Sequence, residues 1–175
     1  MLHQGNVIAY NYIHDIVPRE GLAGLLCGVY FDDSQSGGEI HHNIFKNIPR
    51  SVFYNGGNDA YVHDNIIIDS KLGAQFSYTA NEIVNQNLFI EAIAYADAHP
   101  VYYEKFPELK DIDINYTKSH NNRVVNNLMV NAFGNSVTAL DDPEWSEDPD
   151  NTDYSRQNLS YNNYRVASVD EFDGF

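Results

Sequence analysis

Apolar residues in this chain recur in short bursts, not along helical faces. Six segments share one pattern: an aliphatic residue, two variable residues, Asn, one variable residue, then an apolar one. They begin at Ile8, Ile40, Val62, Val84, Val124 and Leu159, with anchors at Asn11, Asn43, Asn65, Asn87, Asn127 and Asn162. The gaps between anchors are 32, 22, 22, 40 and 35 residues. A constant minimum with additions is the signature of a solenoid carrying loop insertions. One unit divides into a strand at Val52–Asn55, a turn at Gly56–Asp59, a strand at Tyr61–Asp64, a bend at Asn65 and a third strand at Ile66–Asp69. Three short strands and three turns per coil predict an all-β, right-handed parallel β-helix, with coils ~4.8 Å apart. The anchor asparagines then stack as a ladder along the coils. The pattern covers residues 1–175 as one domain, and its opening in mid-pattern is the expectation for a fragment lacking N-terminal coils.

The longer gaps place insertions in the turns. About 10 extra residues fall between Ile16 and Gly28, about 18 between Ala92 and Asn122, and about 13 between Ala132 and Gln157. The second is aromatic, with Tyr95, Tyr102, Tyr103, Phe106 and Tyr116; the third is acidic and contains Trp145. Long loops on a solenoid build its binding face.

Composition narrows the partners. With 10 Lys+Arg against 25 Asp+Glu, the formal charge of −15 excludes nucleic acid, whose phosphates need clustered basic residues. No run is long and apolar enough to span a bilayer, so membrane insertion is not expected. The single cysteine, Cys27, lies in the apolar run from Leu22 to Val29 and reads as a buried thiol. Thirteen tyrosines suggest aromatic surface for a polysaccharide or oligosaccharide.

Gly28-Val29-Tyr30-Phe31-Asp32-Asp33, Asn43-Ile44-Phe45, Asn55-Gly56-Gly57-Asn58-Asp59 and the insertion Tyr103-Glu104-Lys105-Phe106-Pro107-Glu108-Leu109 resemble a bacterial right-handed β-helix family of the pectate-lyase-like superfamily. That family contains plant-glycan glycoside hydrolases of the fucosidase and xylanase types. The resemblance covers roughly residues 5–132. It implies a secreted, periplasmic or cell-surface glycoside hydrolase. One position departs from it: the family often has His before Gly-Gly-x-Asp, where this chain has Asn55.

Glycoside hydrolysis uses two carboxyl groups, ~5–5.5 Å apart for retention and ~6.5–9.5 Å for inversion. Equal 22-residue gaps would align Asp33 with Asn55 and Ser77, Asp32 with Tyr54 and Phe76, and Tyr30 with Val52 and Ala74. Because neighbours on a strand face opposite ways, Asp32 and Asp33 divide between groove and turn. One of them is the candidate nucleophile or base. Asp59, or Asp15 in the preceding coil, is the candidate acid. Tyr30, Tyr54, Asn55, His14 and Asp15 are candidate substrate contacts. His41 and His63 share a column without a third ligand, so no metal site is assigned and no cofactor is expected. The run Asp148-Pro149-Asp150-Asn151-Thr152-Asp153 has the alternating oxygens of a calcium loop but lacks the Gly and distal Glu of an EF-hand. The rival functions are a polysaccharide lyase and a non-catalytic, glycan-binding or adhesin-type solenoid.

Overall fold

The computed structural model describes residues 5–20, 25–33, 35–77, 82–112, 121–132, 145–146 and 158–166. Its strands are β1 (Asn6–Ala9), β2 (Tyr12–His14), β3 (Cys27–Phe31), β4 (Gly38–His41), β5 (Ile44–Lys46), β6 (Arg50–Asn55), β7 (Tyr61–His63), β8 (Ile66–Ile68), β9 (Leu72–Ser77), β10 (Arg123–Val125), β11 (Leu128–Val130), β12 (Trp145–Ser146), β13 (Asn158–Tyr161) and β14 (Tyr164–Val166). They form three sheets. Sheet A runs β1-β4-β7-β10-β13-β12, sheet B runs β2-β5-β8-β11-β14, and sheet C runs β3-β6-β9. Every pairing is parallel. From β1 to β9 successive strands visit A, B and C in turn, three strands per coil; beyond the helices the described strands return to A and B, with β12 at the end of sheet A, so the chain is a parallel β-solenoid.

The ladder accounts for the repeated asparagines. Asn43 donates its backbone N–H and its Nδ2 to Asn65 Oδ1, both at 3.0 Å. Asn65 repeats this toward Asn127, and Asn11 toward Asn43. Each buried amide also donates to strand carbonyls, as Asn65 does to Ile40 and His63. The bends therefore keep their polar groups satisfied out of water.

Polar residues at the corners have a conformational cause. Tyr10, His42, Asp64, Asn126 and Asn162 all have φ near +55° and immediately precede the ladder residues. Asp15, Asn47, Asp69 and Asn131 form a second left-handed corner, and Gly37, Asp59 and Asn121 a third. Asn, Asp and Gly tolerate this region where β-branched residues do not.

The core lies between the sheets and is built from stacks of like residues. Phe31, Tyr54 and Phe76 stack ring on ring at 4.6 and 5.0 Å, and Ile40, Phe45, Val52, Val62, Ile67 and Ala74 are fully buried beside them. Gly38 is small by necessity: a Cβ there would lie 2.5 Å from the Tyr54 hydroxyl and 2.9 Å from the Phe31 ring.

The coordinates correct three expectations. First, Asn87 is not a ladder residue. Residues 82–98 form helix α1 (Glu82–Ala98), followed by α2 (Val101–Lys105) and a 3-10 turn (Pro107–Asp111), so the chain is not purely β. The ladder passes from Asn65 directly to Asn127, 62 residues on, against 22 for the step before it. The surplus lies between Ser77 and Asn121, and the insertion is far longer than the anchor spacing implied. It carries its own small core around Phe89 and Leu109. Second, the last ladder residue is Asn163, which accepts from Asn127, while Asn162 is the left-handed residue before it. Third, β3 pairs with β6 at a spacing of 23, not 22: Val29 with Val52, Tyr30 with Phe53 and Phe31 with Tyr54. Sheet A keeps 22, with Ile40 opposite Val62. The additional residue sits in the turn after Phe31.

Candidate functional site

The corrected register changes what shares a column. Tyr30 lies on Phe53 and Gln75, and Phe31 on Tyr54 and Phe76. One step further, Asp32 meets Asn55. Tyr54, expected as a sugar-stacking surface, is fully buried between Phe31 and Phe76, with burial raising its phenol pKa and its hydroxyl donating to Gly38 O at 3.3 Å. It is a core residue. Phe53 lies beside Tyr30 instead, but it is itself covered and 6% exposed, so Tyr30 is the exposed aromatic ring there.

On the outer side of sheet C, one oxygen of Asp32 gathers three donors. Its Oδ1 accepts the Tyr30 hydroxyl at 2.7 Å, Asn55 Nδ2 at 2.8 Å and the Asp33 backbone N–H at 2.9 Å. None of these bonds uses Oδ2. Hydrogen bonds from Asn55 first, then from Tyr30, hold the Asp32 carboxyl below the ordinary carboxylate range, because they favour the ionised form. Partial burial and the neighbouring Asp32 push the Tyr30 phenol up to about 12, so it stays a donor at neutral pH. The Tyr30 ring, 41% exposed, stacks on Phe53 at 5.0 Å and 14°. Arg50 Cζ lies 5.2 Å from the centre of the Phe53 ring. Arg50 also neighbours Cys27, whose thiol burial pushes up. The array is thus continuous: a cation over an aromatic ring, a second stacked ring, and an ionised carboxylate oriented by that ring's hydroxyl. Gln75 completes the Phe53 column, and its Oε1 is buried without a hydrogen-bond partner among the described residues.

The remaining candidates are placed as follows. Both acids lie beyond the end of β3 and are exposed; Asp33 adopts φ +51° in the turn and gives its backbone N–H to Asp32. Asp59, at φ +57° in the C-to-A corner, accepts a hydrogen bond from Asn121 of the following coil. His14 ends β2, in sheet B, and Asp15 follows it. His14 stacks on Tyr12 at 4.3 Å and bonds Asp15 at 2.7 Å, and Asp15 accepts Asn47 Nδ2 at 2.8 Å. Asn47, then His14, lower the Asp15 pKa. These two residues therefore belong to a different sheet from Asp32. His41 and His63 stack at 5.1 Å as their column requires, but His63 is 9% exposed, with Glu39 at 3.0 Å and Asp64 at 2.7 Å on its two ring nitrogens. Among the described residues no three His, Cys, Asp or Glu side chains are grouped to hold a metal. The calcium-like run at 148–153 lies outside the described residues, as does most of the acidic insertion.

Sequence reasoning missed Phe53, Arg50 and Gln75. The alternation Val52 in, Phe53 out, Tyr54 in was legible, but the assumed register assigned Tyr54 to the surface.

The aromatic insertion starts from this site. It leaves sheet C just after Ser77, which pairs with Asn55. It reaches back along the stack to the first coil, where a Cβ on Gly5 would stand 3.8 Å from the Phe106 ring. No helix of the described residues is long and apolar enough to cross a membrane. In comparisons with known proteins, no family model, no characterised protein and no solved structure matched this chain.

Proposed function

We propose that this is a carbohydrate-active, right-handed β-helix protein of the pectate-lyase-like type, and that it hydrolyses a plant or microbial polysaccharide on the outer face of sheet C. The observation carrying this reading is Asp32: an exposed carboxylate kept ionised by Asn55 and Tyr30, next to the stacked rings of Tyr30 and Phe53. The exposed face of Tyr30 suits the CH surface of a sugar ring, and an ionised carboxylate whose Oδ2 takes no hydrogen bond among the described residues suits a nucleophile or base. Asp59 is the candidate for the protonated partner, since Asp15 belongs to the sheet B side. A polysaccharide substrate would place the protein outside the cytoplasm, as a secreted, periplasmic or surface protein.

Reducing-sugar release from a panel of polysaccharides tests the reading. Asp32→Asn should lower the rate by about 10²-fold or more, the scale of losing a positioned catalytic group. An undiminished rate would refute the assignment. Arg50 on the same face favours polysaccharide lysis as the second reading, since a lyase needs a basic residue beside the sugar. An unsaturated, ultraviolet-absorbing product that disappears with Arg50→Ala would select it.

A further inference from the structure

The Asp32 site uses sheet C, but the outer face of sheet B carries a second ordered surface. Tyr12, Ile44, Ile66, Leu128 and Tyr164 occupy one register column across five strands. Tyr12 is 57%, Ile44 38%, Ile66 37% and Tyr164 49% exposed. Four coil steps of ~4.8 Å make this an apolar strip ~19 Å long with a tyrosine at each end. Polar rows run along both sides, because the strip lies between two left-handed corners. On one side Asn47 donates to Asp15, and Asn131 to Asp69, both at 2.8 Å. On the other, Tyr10, His42 and Asp64 are exposed at the bends before the ladder.

We propose that this face is a second polysaccharide-binding surface, which takes an extended neutral glycan chain along the axis of the stack. An apolar floor with hydrogen-bonding rims matches a sugar polymer, whose ring faces are apolar and whose edges carry hydroxyls. The charge favours a neutral polymer: Asp15, Asp64 and Asp69 on the rims outnumber Lys46, which is exposed on the same face, and the net charge of −15 repels an anionic one. The dimensions argue against a second protein. Five residues of strand and corner span ~16 Å, so the face offers ~300 Å², well below the ~800 Å² per partner of a stable interface. Strand addition by a peptide is also disfavoured, since the backbone of β5, β8 and β11 is already bonded to strands on both sides. The surface acts by binding alone, so it stands whether or not the Asp32 face turns substrate over.

The experiment is depletion of the full chain from solution by microcrystalline cellulose, insoluble xylan and colloidal chitin. Tyr12→Thr and Ile66→Thr are the probes; both sites are exposed, threonine suits a strand, and circular dichroism verifies folding. Binding to at least one polymer is expected, with each substitution weakening it by about tenfold. Failure to bind any of the three would overturn the proposal. So would binding that survives both substitutions but is lost in Tyr30→Ala, which would assign it to the Asp32 face.

Discussion

Replacing Asn65 with alanine removes a fully connected side chain from the middle of the ladder. Asn65 is 1% exposed, and its amide takes part in five hydrogen bonds. The costs are unequal. Asn43 Nδ2 keeps the Ile8 and His41 carbonyls, and Asn127 Oδ1 keeps the Asn65 backbone N–H. The backbone N–H of Asn43 loses its acceptor inside the protein. An orphaned buried donor costs ~1–3 kcal/mol, and the other four lost bonds ~0.5 kcal/mol each at the low end of their range, so a total of about 3–5 kcal/mol is expected. Asn11, at the exposed end of the ladder, is the control: its side chain donates to Ala9 and Asn43, and its loss strands no donor in the core. Asn11→Ala should cost only about 1 kcal/mol. Urea unfolding followed by circular dichroism measures both. With a slope near 2 kcal/mol/M, the midpoint should fall by about 1.5–2.5 M for Asn65→Ala and by about 0.5 M for Asn11→Ala. Hydrogen exchange adds a local readout, since the Asn43 amide should lose protection. Equal midpoint shifts, or an Asn43 amide as protected as before, would refute the claim that the buried ladder bonds hold the coils together.

Two further outcomes follow from the site and the insertion. The Asp32 pKa is lowered in the folded state, so its stabilising effect is full above its unfolded value of ~3.9 and lost as pH falls through the folded value; Asn55→Ala should move the carboxyl titration, followed by NMR, back up toward the ordinary range, and an unmoved titration would remove Asn55 as its cause. Leu109 is 1% exposed in the separate core of the insertion, so Leu109→Ala, at a local cost of about 2–5 kcal/mol, should melt the helices while ladder amides keep their exchange protection; simultaneous loss of both would show one cooperative unit.

The site was legible in outline and wrong in detail for one reason. Tyr30, Asp32 and Asn55 were identified because aromatic, acidic and amide residues cluster around one glycine-rich turn. Their partners depend on how many residues the turn after Phe31 holds, and the anchor spacing is blind to that. A single residue there puts Phe53, not Tyr54, on the outward side beside Tyr30, where it is covered and only 6% exposed, since a strand reverses its facing at every step. Asn87 misled differently. It has the apolar spacing of an anchor, but the following run Glu91-Ala92-Ile93-Ala94-Tyr95-Ala96-Asp97-Ala98 is rich in helix formers, lacks turn residues, and ends at Pro100.

What the sequence determined by itself was the local grammar of the β coils, though not the helix at Glu82–Ala98. The three strands of a coil, the left-handed corners and the 22-residue repeat follow from alternation and from which residues tolerate positive φ. Only the tertiary structure decided which coil follows which across the helical insertion, where β3 sits against β6, and that Asn163, not Asn162, ends the ladder. Those choices are made by contacts between residues 22 to 62 positions apart, where core stacking and buried amide bonds outweigh any preference the intervening residues carry.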